Sequence, residues 1–160
     1  MELYNEDEIF MKLAIERAHE GIRKGQTPFG ACIVKDRNVL VTAYNTVWKD
    51  MDITAHAEIN AIREACRKLK DVSLSGCTIY TTCEPCSMCF SACHWARIKR
   101  IVYGASIEDS KKFGFNEIVL PNLVIREFER DGIEITRDHL REECLNLFKI
   151  WSRRRDKRVY

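Results

Sequence analysis

Two short segments of the chain carry residue types that bind and use a metal ion. His56 and Glu58 are two positions apart, and the run Pro85-Cys86-Ser87-Met88-Cys89 follows after 26 intervening residues. Cysteines three apart on a helix point to the same side, and a helix N-terminus favours the thiolate form that binds metal. With one imidazole they make three ligands and leave the fourth position of tetrahedral Zn²⁺ to water. The spacing therefore predicts a catalytic site with one Zn²⁺ per chain, held by His56, Cys86 and Cys89.

Glu58 has a different predicted role, as the residue that moves protons. It lies two residues after the histidine ligand, where its carboxylate can sit beside the bound water without binding the metal. Zinc lowers the pKa of bound water towards ~7, and Glu58 can carry a proton from this water to a ring nitrogen and then to the departing amine. His-x-Glu followed by Pro-Cys-x-x-Cys is the signature of zinc-dependent base deaminases. We therefore predict hydrolysis of an amidine C–N bond with release of ammonia.

Other interpretations arise from four closely spaced cysteines: Cys83, Cys86, Cys89 and Cys93. Their spacing also fits the C-x₂-C-x₂-C-x₃-C run of ferredoxins, and a lone C-x-x-C can be a redox pair or half of a structural zinc site. A metal-stabilised binding module without enzymatic activity is a further alternative. In the ferredoxin pattern a proline follows the fourth cysteine, whereas His94 follows it here. The deaminase hypothesis also uses the His-x-Glu segment, and it leaves Cys83 and Cys93 as packed thiols.

Hydrophobic periodicity and turn residues predict the elements that position these segments. The predicted helices run from an Asn5 cap to Gly21 or Gly25, over 57–70, from Pro85 to about 97 and from 138 to about 151. The predicted strands are 31–35 and 39–44, which form a hairpin, and 78–82, 100–104 and 132–136. A short helix followed by a loop is expected over 106–122. Helices alternate with strands, which favours an α/β sheet covered on both faces.

Composition indicates an ordinary globular chain. Its 160 residues are 46% hydrophobic and 31% charged, and no repeat or linker divides them, so one domain over 1–160 is expected. No apolar run approaches the ~20 residues that span a bilayer, and the N-terminus is acidic where a signal peptide would be basic. We therefore expect a cytoplasmic protein without membrane contact, whose eight cysteines are reduced.

Charge is concentrated near the C-terminus. The whole chain has a net charge of +2, whereas residues 149–160 carry +5, from six basic residues and Asp156. Such a run is usually a solvated face, and it is also compatible with contact to nucleic acid or phosphate. We predict that residues 152–160 form a basic C-terminal tail.

Residues 54–58, Thr-Ala-His-Ala-Glu, and 82–89, Thr-Cys-Glu-Pro-Cys-Ser-Met-Cys, make the chain resemble the cytidine deaminase-like superfamily, especially its cytosine, guanine and tRNA-adenosine branch. The resemblance covers nearly the whole chain. It implies a three-layer α/β/α sandwich around a five-stranded mixed sheet, with the two zinc-binding helices side by side. It also implies a homodimer and a small-molecule nucleobase as substrate.

Within this branch, the chain is most similar to bacterial-type guanine deaminases, which convert guanine to xanthine and ammonia. The similarity rests on Pro28-Phe29-Gly30-Ala31, Asn45, His94-Trp95-Ala96-Arg97, Gly114-Phe115 and a terminal Tyr160. It implies that Asn45 hydrogen-bonds the purine, that Phe29 and Trp95 wall it, and that Ala57 offers a backbone N–H. It further implies that Tyr160 closes over the site, after exchange of the C-terminal segments between subunits.

The segment after Gly114-Phe115 departs from that pattern. Guanine deaminases carry an acidic residue directly after it, whereas Asn116 and Glu117 follow here, so Glu117 is the predicted equivalent. A carboxylate at this place can accept N–H groups that guanine has and adenine lacks. The alternatives are a solvated loop residue at Glu117, a turn residue at Asn45, core side chains at Phe29 and Trp95, and a frayed end at Tyr160.

A tRNA-specific adenosine deaminase is the second candidate. These enzymes share both motifs and have a basic final helix, which the run Arg153–Arg158 fits. They usually continue the fourth strand with Gly-Ala-Arg-Asp, whereas Gly104-Ala105 continues here with Ser-Ile-Glu-Asp. A tRNA is therefore an alternative substrate, and cytosine, deoxycytidylate and aminotriazine deaminases are further alternatives.

Overall fold

A computed structural model describes residues 5–130 and 132–160, so the first residues of the acidic N-terminal stretch lie outside the described part. The helices in this part are α1 (Glu6–Arg23), α2 (Val47–Asp50), α3 (Ala57–Leu69), α4 (Ser87–Trp95), α5 (Ile107–Lys112), α6 (Asn122–Arg126) and α7 (Arg141–Ser152). The strands are β1 (Gly30–Lys35), β2 (Asn38–Tyr44), β3 (Thr78–Cys83), β4 (Arg100–Ala105) and β5 (Glu134–Thr136). None of these helices has both the length and the hydropathy of a transmembrane span.

The strands form one mixed sheet in the order β2-β1-β3-β4-β5. β1 is antiparallel to both β2 and β3, whereas β3, β4 and β5 run parallel. The buried side chains of α3 and α4 pack on one face of the sheet, and those of α1 and α7 pack on the other. α3 and α4 also contact each other. The three-layer α/β/α sandwich implied by the resemblance is therefore confirmed.

The topology brings several connections to one edge of the sheet. Because Gly30 pairs with Tyr44, the start of β1 and the end of β2 lie side by side. The parallel strands β3 and β4 end at this same edge, where Cys83 pairs with Ala105. Ligands of α/β sheets commonly bind outside the carboxyl ends of strands. The residues that flank these strand ends are Phe29, Asn45, Cys86 and the segment after β4.

α1 follows its predicted signals and lies close against β1. The Asn5 side chain accepts a hydrogen bond from the backbone N–H of Asp7 at 3.2 Å, which caps the helix as predicted. A Cβ atom on Gly30 would lie only 2.1 Å from the Ala14 carbonyl oxygen. Glycine is therefore required at this position, next to Phe29, because any side chain would collide with the backbone of α1.

α4 begins later than the sequence predicted. Pro85 was expected in its first turn, but the helix starts at Ser87, and Cys86 is the N-cap with an extended backbone (φ −62°, ψ 169°). Pro85 therefore lies outside the helix. α3 is built in the same way, because it starts at Ala57 with His56 as the extended N-cap. A predicted metal ligand thus directly precedes each of the two helices.

The C-terminal third differs most from the sequence-based prediction. The segment 106–122 contains the expected short helix, α5, followed by irregular chain, but α6 was not predicted. β5 is shorter than predicted. α7 begins at Arg141 instead of residue 138, because Asp138 and Leu140 have left-handed φ values of 59° and 48° that a continuous helix cannot contain.

A partly buried ion pair between α1 and β4 gives a prediction about stability. The Arg100 guanidinium donates to both carboxylate oxygens of Asp7, at 2.9 and 2.7 Å, and the Tyr80 hydroxyl donates to the same carboxylate at 2.7 Å. The hydrogen bonds from Arg100 hold the pKa of Asp7 below its usual value. We expect Asp7→Asn to lower the free energy of unfolding at pH 7 by about 1–2 kcal/mol.

The lowered pKa of Asp7 also predicts how the stability loss of Asp7→Asn depends on pH. A carboxyl whose pKa is depressed by folding stabilises the fold above its unfolded pKa of about 4 and loses this contribution as the pH falls through its folded pKa. Urea unfolding at pH 7 and pH 3 should therefore show a gap between wild type and Asp7→Asn that narrows at pH 3. The exposed Asp36→Asn variant is the control. A gap that is equal at both pH values would contradict the assignment.

Candidate active site

Three potential metal ligands converge where α3 and α4 begin. The ligand atoms of His56, Cys86 and Cys89 all lie within 4.8 Å of one another. His56 Nδ1 is 3.7 Å from Cys86 Sγ and 3.5 Å from Cys89 Sγ. In a tetrahedral zinc site with ordinary bond lengths, a nitrogen and a sulfur ligand are roughly 3.6 Å apart. The three residues therefore fit a zinc ion without rearrangement.

The backbone around these ligands favours the charged form of the thiol. Cys86 is the N-cap of α4, and Cys89 lies in the first turn of the same helix, where exposed N–H groups and the helix dipole stabilise negative charge. The hydrogen bond that Cys86 accepts from the Cys89 thiol further lowers the pKa of Cys86, and the same bond raises the pKa of Cys89, so Cys86 is the thiol that ionises first. Zinc held here would act as a Lewis acid and lower the pKa of water.

The remaining cysteines of the C-x₂-C-x₂-C-x₃-C run do not join this group. The Cys83 thiol donates to the Ser106 carbonyl at 3.4 Å. Cys93 lies in α4, on the side that packs into the core, and is fully buried. Burial raises the pKa of both thiols, which keeps them protonated. In the described chain the metal ligand cluster is therefore His56 with two cysteines, as the deaminase hypothesis requires, and not a four-cysteine cluster site.

Glu58 lies beside the metal ligands. It is the second residue of α3, is 7% exposed, and lines a cavity together with His56 and Cys86. Burial raises its pKa to about 7, although the nearby His56 opposes the shift. A carboxyl group that titrates near neutrality can both accept and release a proton during a reaction. The structure thus places an ionisable carboxyl group beside the metal-ligand side chains.

Asn45 lines the same cavity with a fixed orientation. Its side chain is fully buried, and its Oδ1 accepts a hydrogen bond from the Val47 backbone N–H at 3.1 Å. Its Nδ2 therefore faces the cavity, where it donates to the Tyr160 hydroxyl at 2.6 Å. The assignment of the amide follows from this hydrogen-bond network. Asn45 consequently offers a donor, and not an acceptor, to a ligand.

Glu117 lies in the irregular chain between α5 and α6, and it also lines the cavity. The Ser110 hydroxyl donates to its Oε1 at 2.9 Å. Burial raises the pKa of Glu117, and the hydrogen bond from Ser110 counteracts part of this effect. Glu58 and Glu117 therefore line one cavity with separate surroundings: Glu58 next to the metal ligands, and Glu117 in the irregular chain after α5.

Tyr160 fills most of the space between these groups. Its ring centroid is 5.4 Å from that of His56 and 5.4 Å from that of Phe115, and its carbonyl accepts a hydrogen bond from the Asn116 N–H at 2.9 Å. The volume left in the cavity is about 20 Å³, which is enough for about one water molecule. The tail thus reaches the site of its own chain, and exchange between subunits is not needed to bring an aromatic residue there.

Of the other predicted substrate residues, Phe29 lines this cavity, Ala57 adjoins its residue His56, and Trp95 lies elsewhere. The Phe29 ring is held edge-on by Phe115 at 5.0 Å. Ala57 begins α3, so its N–H has no acceptor within the helix. Trp95 does not line the cavity of its own chain. It is 83% exposed at the far end of α4 and borders a separate groove of about 680 Å³ with His94 and Arg97.

Sequence reasoning gave no role to three residues that the structure places in or beside the site. Cys83 and Glu84 line the cavity, and Ser110 binds Glu117. Glu84 carried a signal, since it belongs to the Cys-Glu-Pro-Cys run, but the motif alone does not indicate what its carboxylate binds. Ser110 carried none, because its contact with Glu117 depends on how the chain turns after α5.

Comparisons with known proteins agree with this geometry. A family profile described as the cytidine and deoxycytidylate deaminase zinc-binding region matches residues 4–105. The guanine deaminase of Bacillus subtilis is 38% identical over 154 residues, which is 96% of this chain and 98% of that protein. A tRNA-specific adenosine deaminase of Buchnera aphidicola is also 38% identical, over 143 residues, which is 89% of this chain and 91% of that protein.

A solved structure of guanine deaminase from Nitrosomonas europaea superposes with a TM-score of 0.83 at 29% identity, and the match covers 91% of this chain and 84% of that one. Guanine and tRNA adenosine deaminases thus resemble the chain to a similar degree. They share the zinc-binding region that the profile describes, and His56, Cys86 and Cys89 form such a site here. The chain therefore belongs to the zinc-dependent hydrolytic deaminases of the cytidine and deoxycytidylate deaminase family.

Proposed function

We propose that the protein is a guanine deaminase, which hydrolyses guanine to xanthine and ammonia. The observation that carries this proposal is the pairing of a fixed donor, Asn45 Nδ2, with a half-buried carboxylate, Glu117, across one cavity. Guanine presents acceptors at O6 and N7 and N–H donors on its other edge, whereas adenine has no ring N–H at the corresponding edge. One donor and one carboxylate acceptor therefore match guanine better than adenine.

The proton transfers are assigned to Glu58. In the hydrolysis, water adds to the carbon that bears the exocyclic amine, and the bond from this carbon to the amine breaks. Glu58 takes one proton from the attacking water and gives it to the ring nitrogen; it then takes the proton of the hydroxyl group added to the carbon and gives it to the leaving amine, so that a carbonyl forms and ammonia departs. The buried position of Glu58 beside His56 and Cys86 supports this role.

A tRNA-specific adenosine deaminase is the second candidate, and one surface feature favours it. The tail carries the exposed cations Arg153, Arg155, Lys157 and Arg158. The Arg158 guanidinium stacks on the Trp48 ring at 4.2 Å, which holds the tail beside α2. Nucleic-acid phosphates bind such basic surfaces. The 38% identity to the Buchnera enzyme supports this candidate as well.

A panel of substrates separates the two candidates. Ammonia release is measured with guanine, adenine, cytosine, their nucleosides, an aminotriazine and an RNA anticodon stem-loop, with the zinc-loaded protein in each case. We expect kcat/KM for guanine to exceed that for every other compound by at least about 100-fold, because a site with buried polar groups rejects analogues that leave these groups unpaired. Turnover of the RNA alone would overturn the guanine assignment.

We also propose a cytoplasmic homodimer, built from one domain per chain. All eight cysteines are free thiols, which fits a reducing compartment. Ile53 and Ile118, each more than half exposed, line one groove with Met88 and Phe115, and contiguous exposed apolar surface is typical of surfaces that associate. Trp95 is also more than half exposed. Trp95 is thereby available to a second copy of the chain, although it does not reach the cavity of its own.

A further inference from the structure

Glu84 is a buried carboxylate that the proposed chemistry does not use. It immediately precedes Pro85 and Cys86, and it is 6% exposed. Its Oε1 accepts a hydrogen bond from the Asn122 backbone N–H at 2.7 Å, and its Oε2 accepts one from the Ile107 N–H at 3.2 Å. Each oxygen of the carboxylate therefore binds a different segment of the backbone.

The two segments that Glu84 binds flank the stretch of chain that carries Glu117. Ile107 is the first residue of α5, and Asn122 is the first residue of α6. The irregular chain between these helices carries Glu117. The Asn122 side chain adds a second link, because its Nδ2 donates to the Pro85 carbonyl at 2.6 Å. Both ends of the segment that carries Glu117 are thus bound to residues adjoining the metal ligand Cys86.

We propose that Glu84 is a positioning residue, which fixes Glu117 relative to the metal ligands and so determines which base the site accepts. This inference rests on the proposed function, in which Glu117 accepts the N–H groups of guanine. A carboxylate is required because two backbone N–H groups must be accepted at once. A glutamine has one acceptor oxygen, so one N–H would face the amide NH₂ and remain unpaired.

A double-mutant cycle tests whether Glu84 acts through Glu117. The variants are Glu84→Gln, Glu117→Gln and the two combined, each measured for zinc content and for kcat and KM with guanine and adenine. We expect Glu84→Gln to lower kcat/KM for guanine about 10- to 30-fold, mainly through KM, and to leave zinc content unchanged. The double variant should fall within about threefold of Glu117→Gln alone, because coupled residues are not additive.

Two further variants complete the test. Glu84→Asp retains two acceptor oxygens and should recover most of the guanine selectivity. If Glu84→Gln does not fold, Asn122→Ala, which removes the hydrogen bond to the Pro85 carbonyl, replaces it in the cycle. If the losses of the single variants multiply in the double variant, or if Glu84→Gln loses zinc, the positioning role is wrong. Failure of the proposed function looks different, because wild type would then not turn over guanine. In that case the cycle is measured on the RNA substrate, where independent losses would likewise overturn the positioning role.

Discussion

Replacing Glu58 by glutamine should lower kcat for guanine by about 1000-fold while the protein still binds one zinc per chain. General acid–base catalysis contributes roughly 10²–10⁴ to a rate, and glutamine keeps the size of the side chain but cannot accept a proton from water. The ligands His56, Cys86 and Cys89 are untouched, and among residues 5–130 and 132–160 they form the metal-binding cluster without Glu58. Loss of turnover without loss of metal is therefore the expected combination.

The control for this experiment lies on the same helix. Glu64 is exposed on the outer side of α3, so Glu64→Gln removes the same charge from the same element without reaching the cavity. It should keep wild-type kcat and zinc content. Metal is measured by elemental analysis and turnover by ammonia release, on the same preparations. A Glu58→Gln enzyme within about fivefold of wild type would show that another group moves the protons.

The metal site could be predicted from the sequence because its information is local. His56 and Cys86 each directly precede a helix, and Cys89 follows within the first turn, so short-range helix geometry determines where the ligand atoms point. The ferredoxin-like spacing was ambiguous in the sequence. In the structure Cys93 faces the core, because a residue seven positions after Cys86 has moved about two helical turns away from the N-terminus.

The substrate side could be predicted only in part, since its contacts join distant segments. Glu117 lies in irregular chain, where no periodicity indicates a direction, and its partner Ser110 is found only in the folded chain. Glu84 shows the same limit, because its two acceptors bind Ile107 and Asn122, more than 20 residues away. Trp95 was expected at the purine, yet its place at the end of α4 turns it outward.

The error at α7 has a backbone cause. The sequence from Asp138 to Leu140 has the polarity of a helix start, but two left-handed residues in this turn delay the helix to Arg141. Such a turn depends on the packing that surrounds it. Gly104 shows how tight this packing is, because a Cβ there would lie 2.3 Å from Cys144 Sγ on α7. Contacts between strand and helix, and not helix propensity, therefore set this boundary.

Removing Val159 and Tyr160 should lower kcat/KM for guanine about 100-fold, and mostly through kcat. Tyr160 leaves only about 20 Å³ in the cavity, so its ring must move aside for a purine to enter and can then close against the bound base. Its carbonyl also accepts from the Asn116 N–H, next to Glu117. Without the last two residues, water reaches the reacting carbon and the segment that carries Glu117 loses a hydrogen bond.

Tyr160→Phe separates the ring from its hydroxyl. The phenol oxygen now accepts the hydrogen bond of Asn45 Nδ2 at 2.6 Å, which is the donor assigned to the purine. Phenylalanine keeps the ring that covers the site and removes this competitor, so KM for guanine should fall about threefold with kcat nearly unchanged. Truncation is thus expected to act mainly on kcat, and Tyr160→Phe mainly on KM. If the tail were frayed, neither change would alter either constant. Equal kcat and KM in wild type, the truncated chain and Tyr160→Phe would show that the tail takes no part in catalysis.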